Sequence, residues 1–211
     1  MLEPFRKALV LAPHTDDGEL GAGGTIHRLI GNSVEVYYVA VSCAEGSLPP
    51  ELPKDALKKE MLDATAALGI KVQNVRAMNY SVRTLSYHRQ EILDELIQLK
   101  REIAPDLVLM PSSRDLHQDH TTVAQEALRA FKTTTILGYE LIWNNLDFHT
   151  TAFVRLQAED VEAKCRALKE YRSQSGRSYM QADFISSLAR VRGTQVGCDY
   201  AECFEVVRWM I

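Results

Sequence analysis

Three of the six histidines sit in two short polar stretches that also carry most of the nearby carboxylates. The first stretch reads Pro13-His14-Thr15-Asp16-Asp17-Gly18-Glu19, and the second reads Asp115-Leu116-His117-Gln118-Asp119-His120. Imidazole with carboxylate is a ligand set for Zn²⁺ or another divalent first-row metal, and a catalytic zinc keeps three protein ligands and an open position for water. His14, one of Asp16 or Asp17, and His120 meet that description. The carboxylate left over is placed to act as a general base close to the metal. His117, three residues before His120, can stabilise an oxyanion or protonate a leaving group. The plainer reading makes Asp16 or Asp17, and likewise Asp119, simple helix N-caps.

Such a site needs elements that bring together loops ~100 residues apart in sequence. Ala8-Leu9-Val10-Leu11-Ala12 reads as a short buried strand, followed by the first polar loop and a helix carrying Ile26, Leu29 and Ile30. Val34 to Val41 is a second strand, rich in β-branched and aromatic residues. Leu57, Met61, Ala64 and Leu68 mark a helix that stops at Gly69, and a weak strand is expected around Val72 to Met78. Ile92 to Leu99 is amphipathic and must end before Pro105; Asp106 to Met110 is a strand, and a helix with Val123, Ala127 and Phe131 facing inward follows the second polar loop. This βαβαβα alternation predicts an α/β fold with a mainly parallel sheet and helices on both faces. Loops at the carboxyl ends of its strands converge, which unites the two polar stretches. Beyond it, strands are expected at Ile136 to Ile142, Ala152 to Arg155 and Glu202 to Trp209, and helices at Glu159 to Tyr171 and Tyr179 to Arg190. With no repeat or linker, one domain over residues 1–211 is the economical organisation.

The 211 residues are 46% hydrophobic and 25% charged, an ordinary globular composition that excludes a disordered or collagen-like chain. Lys and Arg total 24 against 28 Asp and Glu, a formal net charge of −4 with no basic cluster, which argues against a nucleic-acid partner. Cys43, Cys165, Cys198 and Cys203 form no C-x-x-C pair, so a zinc ribbon or dithiol site is not expected. The opening residues lack a charged segment followed by a long apolar one, and no run is long enough to span a membrane, so a cytoplasmic location is expected. A homo-oligomer is compatible with the sequence.

Two rival readings use the same residues. Gly21-Ala22-Gly23 after a strand suggests a dinucleotide turn, but Ile26 stands where the third glycine of G-x-G-x-x-G is needed, and close helix packing accounts for the glycines better. His14-x-Asp16 with His120 also matches the two-histidine, one-carboxylate set of non-haem iron oxygenases, an oxidative alternative to hydrolysis. An inactive metal- or carbohydrate-binding protein is the alternative outside enzymes.

The first loop with its continuation Leu20-Gly21-Ala22-Gly23-Gly24 resembles the first motif of the PIG-L (LmbE-like) metal-dependent deacetylases, and His117-Gln118-Asp119-His120 resembles the second. The likeness runs from Leu9 to about Phe131. It implies a Rossmann-like three-layer α/β/α fold and zinc-dependent removal of N-acetyl groups from N-acetylglucosamine-type sugars or conjugates. By position it makes His14, Asp17 and His120 the metal ligands, Asp16 the base that deprotonates the metal-bound water, and His117 the group that polarises the intermediate. Thr15 replaces a usual Pro, and Gly18 a usual Glu, with Glu19 one place later; Glu19 and Asp119 are candidates to hold the ligands through an outer hydrogen bond. An arginine usual near the helix after the second strand has no counterpart among Leu57, Lys58 and Lys59.

Downstream, Trp143, Asn144 and Asn145 combine an aromatic ring with amides and suit stacking on and hydrogen bonding to a sugar, while a core tryptophan and a turn are the plainer reading. The polar run from Arg172 to Arg177 reads as either a lid or a connector.

Overall fold

In the computed structural model, which describes residues 5–210, the apolar run of the first strand lies at the centre of the molecule. Ala8 to Ala12 are all fully buried. They form β1 (Lys7–Ala12), which lies between β2 (Glu35–Ala40) and β4 (Leu107–Pro111), parallel to both. The two-residue period of a strand sends Ala8, Val10 and Ala12 to one face and Leu9 and Leu11 to the other. Both faces are therefore covered. Helices α1 (Asp17–Gly31), α2 (Ala56–Ala67) and α5 (Ala158–Lys169) pack on the first face; α3 (Arg89–Ile103) and α4 (Gln118–Ala130) pack on the second. Residues 1–4, part of the N-terminal stretch read above as lacking a leader, lie outside the described residues. Among the described residues no helix is long and apolar enough to cross a membrane.

Among the described residues the sheet has seven strands in the order β3-β2-β1-β4-β5-β7-β6, with β3 (Val75–Ala77), β5 (Thr135–Tyr139), β6 (Ala152–Leu156) and β7 (Tyr200–Arg208) completing it. The first five in sequence are parallel, as the alternation predicts, whereas β7 runs antiparallel to both β5 and β6. Strand β5 is shorter than the expected 136–142 stretch. Its ladder on β4 ends where Pro111 pairs with Tyr139, and Asn144 N–H then donates to the Leu141 carbonyl at 2.8 Å to close a turn. The last helix, α6 (Ala182–Gln195), begins later than expected because residues 178–180 form a separate 3₁₀ turn.

Helix α1 begins at Asp17, earlier than its apolar pattern indicates, and is broken at Ala22 (φ −143°, ψ 17°). The break frees backbone N–H groups in a buried place. Gly24 and Thr25 donate theirs to the Glu202 carboxylate at 3.0 and 2.7 Å, and Lys164 Nζ neutralises that carboxylate at 2.7 Å. Close packing fixes the same segment, because a Cβ on Gly21 would lie 2.2 Å from the Tyr139 ring. Glu202→Ala leaves a buried ammonium and two amides without their acceptor, so a loss of about 3–5 kcal/mol of stability is expected. Urea unfolding checks this value.

Candidate active site

Strands β1 and β4 are neighbours, so the loops that follow them meet at one edge of the sheet. His14 lies on the first loop, Asp16 sits at the N-cap of α1, and Asp17 is in its first turn; His117 is the N-cap of α4 and His120 lies one turn in. Three atoms form a near-equilateral triangle. Asp17 Oδ2 lies 3.1 Å from His14 Nδ1 and 3.2 Å from His120 Nε2, and the two nitrogens are 3.2 Å apart. A tetrahedral ion with ligand bonds of ~2.0–2.1 Å has ligand-to-ligand edges of about 3.3–3.4 Å. The triangle thus has the dimensions of three corners of such a polyhedron. The three ring systems of His14, His117 and His120 also offer nitrogens within 4.8 Å of one another.

The far sides of the His14 and His120 rings are each held by a carboxylate. His14 Nε2 meets Asp119 Oδ2 at 3.0 Å, and His120 Nδ1 meets Asp115 Oδ2 at 2.8 Å. Asp119 is in turn fixed by the backbone N–H groups of Arg83 and Leu85, at 2.6 and 3.3 Å. Asp115 accepts from His117 N–H at 2.9 Å and from Asn144 Nδ2 at 3.4 Å. Sequence reasoning picked out Asp119 and passed over Asp115, although both lie in the same six-residue stretch. Asp115→Ala and Asp119→Ala are each expected to weaken metal binding about 10–100-fold, read by competition with a coloured chelator.

The other candidates have distinct surroundings. His117 Nδ1 accepts from the Asp119 N–H at 3.2 Å and so caps α4. A neutral ring that accepts at Nδ1 carries its proton on Nε2. Burial, followed by the neighbouring His120 and His14, lowers the pKa of His117 and favours that neutral form. Asp16 makes no side-chain cap bond. Burial first, and then the charge of Asp17, push its carboxyl up to about 6. Asp17 is also buried, but His120 and His14 outweigh that and hold it well below the usual carboxylate range.

Glu19 requires a correction. It touches neither histidine; it is fully buried beneath the loop, bonded to the Tyr38 hydroxyl and to Tyr171 Oη at 3.0 Å. Both hydroxyl oxygens also lie within hydrogen-bond distance of the Thr15 carbonyl, at 2.8 and 2.5 Å. Helical geometry explains the displacement, since two residues beyond Asp17 the side chain points into the sheet rather than along the loop.

A cavity of ≈ 250 Å³ opens over the triangle. Trp143 and Asn144 line it, with Trp143 stacked on Tyr179 at 3.9 Å between ring centroids and 15° between planes. Asn145 is not among the lining residues; its Oδ1 accepts from Leu141 N–H at 2.9 Å, which makes it the turn residue of the plainer reading. Arg83, Gln174, Arg177 and Tyr179 also line the cavity. Of these, Gln174 and Arg177 lie in the polar run read as lid or connector, while nothing local in the sequence marks Arg83.

The fold and this edge define an α/β enzyme-type domain with a histidine–carboxylate site at the carboxyl ends of parallel strands. Residues 9–131 match the model of the PIG-L family, described as GlcNAc-PI de-N-acetylase, and the chain belongs to that family. It is similar to the diacetylchitobiose deacetylase of Thermococcus kodakarensis, at 26% identity over 230 residues that cover 95% of this chain and 84% of that protein. Among solved structures it resembles N,N'-diacetylchitobiose deacetylase from Pyrococcus horikoshii, with a TM-score of 0.79 at 24% identity over 95% of this chain and 83% of the other. The same fold is present in GalB, the 4-carboxy-2-hydroxymuconate hydratase of Pseudomonas putida KT2440, with a TM-score of 0.77 at 19% identity over 98% of each chain.

Proposed function

We propose that residues 1–211 form one domain that hydrolyses the acetamido group of an N-acetylglucosamine-type sugar or conjugate, using zinc or a similar dication. The observation that carries this reading is the triangle of His14 Nδ1, Asp17 Oδ2 and His120 Nε2, whose edges of 3.1–3.2 Å fit a small dication with nitrogen and oxygen ligands. When bound, such an ion supplies a Lewis acid for the acyl oxygen and lowers the pKa of water. Carboxylates behind both histidines accept from the outer ring nitrogens and so aim the inner nitrogens at the triangle.

The chain's own groups then divide the work. Asp16 lines the cavity beside the triangle without a side-chain cap bond, with a pKa close to the neutral range a general base needs. It takes a proton from the attacking water and returns it to the nitrogen as the C–N bond breaks, releasing acetate and an amine. His117 presents Nε2–H to the oxygen of the tetrahedral intermediate, because its cap bond occupies Nδ1. That same bond argues against His117 as a metal ligand, since a ring bound through Nε2 needs its proton on Nδ1. Trp143, backed by Tyr179, offers an aromatic face to the sugar, and Asn144 offers an amide. His117→Ala is expected to lower kcat about 10²–10³-fold with metal content retained, checked by acetate release and metal analysis on the same sample. Loss of the metal with His117 would make the three-histidine set the ligands instead.

A further inference from the structure

Two guanidinium groups border the cavity, and among the described residues neither forms an ion pair with a carboxylate. Elsewhere in the molecule Arg89 and Arg129 both close on Glu126, and Arg192 closes on Glu140. Arg83, by contrast, lines the cavity and has no side-chain hydrogen bond or ion pair among the described residues. Its backbone is held in the left-handed region at φ 67°, which is costly for a residue with a Cβ, and its N–H is tied to Asp119 at 2.6 Å. The residue is therefore fixed by the same carboxylate that orients His14. Arg177 enters from the connector between α5 and α6; one arm of its fork reaches the Tyr179 hydroxyl, and its charge acts on Asp16 and Asp17.

Apart from the histidines, the charged side chains lining the cavity are Asp16, Asp17, Arg83 and Arg177, two of each sign. With a dication on the triangle, these lining groups carry a net positive charge, and Asp115 and Asp119 sit behind the histidines, outside the cavity lining. A neutral sugar would meet these arginines only through hydroxyl hydrogen bonds, whereas an anion accepts from both forks and also neutralises their charge.

We infer that the substrate carries an anionic group, a carboxylate or a phosphate, outside its acetamido function, and that Arg83 and Arg177 together bind it. This rests on the deacetylase reading for the sugar, and deepens it by fixing the charge of the rest of the substrate. The arginines come from two different loops, so the anion is clamped between the turn after β3 and the α5–α6 connector. Engaging Arg83 also steadies the turn that holds Asp119.

Product-type amines test the charge preference without turnover. Titration calorimetry of the zinc-loaded protein at low salt would compare glucosamine 1-phosphate, carboxymethyl glucosaminide and methyl glucosaminide. The charged ligands are expected to bind at least about tenfold tighter than the neutral one. A preference for both identifies either anion as acceptable, and a preference for one alone identifies the source. In the double variant Arg83→Gln, Arg177→Gln the ratio is expected to fall to within about twofold of one, while Arg83→Lys keeps part of it. Similar binding of all three, no measurable binding of either anion, or a preference that survives in the double variant would overturn the inference. Phosphate held by the zinc alone would show itself by that last outcome. Acetate release from the N-acetyl counterparts is read separately. An intact charge preference without acetate sinks the hydrolase reading alone, and acetate released equally from the neutral sugar, with no charge preference in binding, sinks the anion clamp alone.

Discussion

Asp16→Asn is expected to lower kcat by about 10²–10⁴-fold while metal content stays that of the unaltered chain. The substitution keeps the size and shape of the side chain and removes only its ability to hold a proton. Asp16 is suited to that exchange because burial and the adjacent Asp17 raise its pKa to about 6, so that it ionises close to neutrality. It takes no part in the triangle, in which Asp17 Oδ2 alone meets both histidines. Paired kcat and metal measurements on the variant decide the assignment. A metal-free variant would exchange the roles of the two aspartates.

Asp17→Ala has the larger consequence. Its Oδ2 is the corner shared by both histidines, and the same atom accepts the His14 N–H at 2.8 Å, so the carboxylate sets the loop as well as the ligand. Removing it leaves two buried imidazoles facing one another, with one proposed metal ligand and one loop anchor gone. Metal affinity is expected to fall by more than about 100-fold, beyond what loss of an outer hydrogen bond does, and turnover to fall to background. Equilibrium dialysis against buffered zinc, with acetate release on the same samples, measures both. His149→Ala serves as the control, since that histidine is half-exposed and its one ion-pair contact is with Asp147, at 4.0 Å. It is expected to leave both quantities where they are.

Much of this architecture is legible in the sequence because it rests on local signals. An unbroken apolar run such as Ala8 to Ala12 can only be buried on both faces, and two such runs followed by polar loops place those loops together. What is not legible depends on contacts that no local pattern encodes. Strand β7 could have joined the sheet in either direction; it pairs antiparallel because the chain returns from α6 at the opposite end of β5. The break in α1 depends on Glu202, which is far away in sequence yet accepts from Gly24 and Thr25. Asp115 and Asp119 are chemically alike, and only the direction of each histidine ring shows which carboxylate holds which ring. Glu19 looks like a member of the polar loop, but its helical position turns it toward Tyr38 and Tyr171. Arg83 lies in a turn with no chemical neighbours in sequence, and it reaches the cavity only because its backbone is bound to Asp119.

The measurement closest to the central claim is metal content and acetate release on one preparation, before and after chelation, with His120→Ala alongside. Substrates are N-acetylated sugars with neutral and anionic aglycones. The expected result is about one zinc-like ion per chain, acetate release that stops on chelation and returns with the metal, and neither property in His120→Ala. Bound metal with no acetate from any of these sugars would contradict the deacetylase reading, and a chain that takes up no metal when resupplied would contradict the site itself.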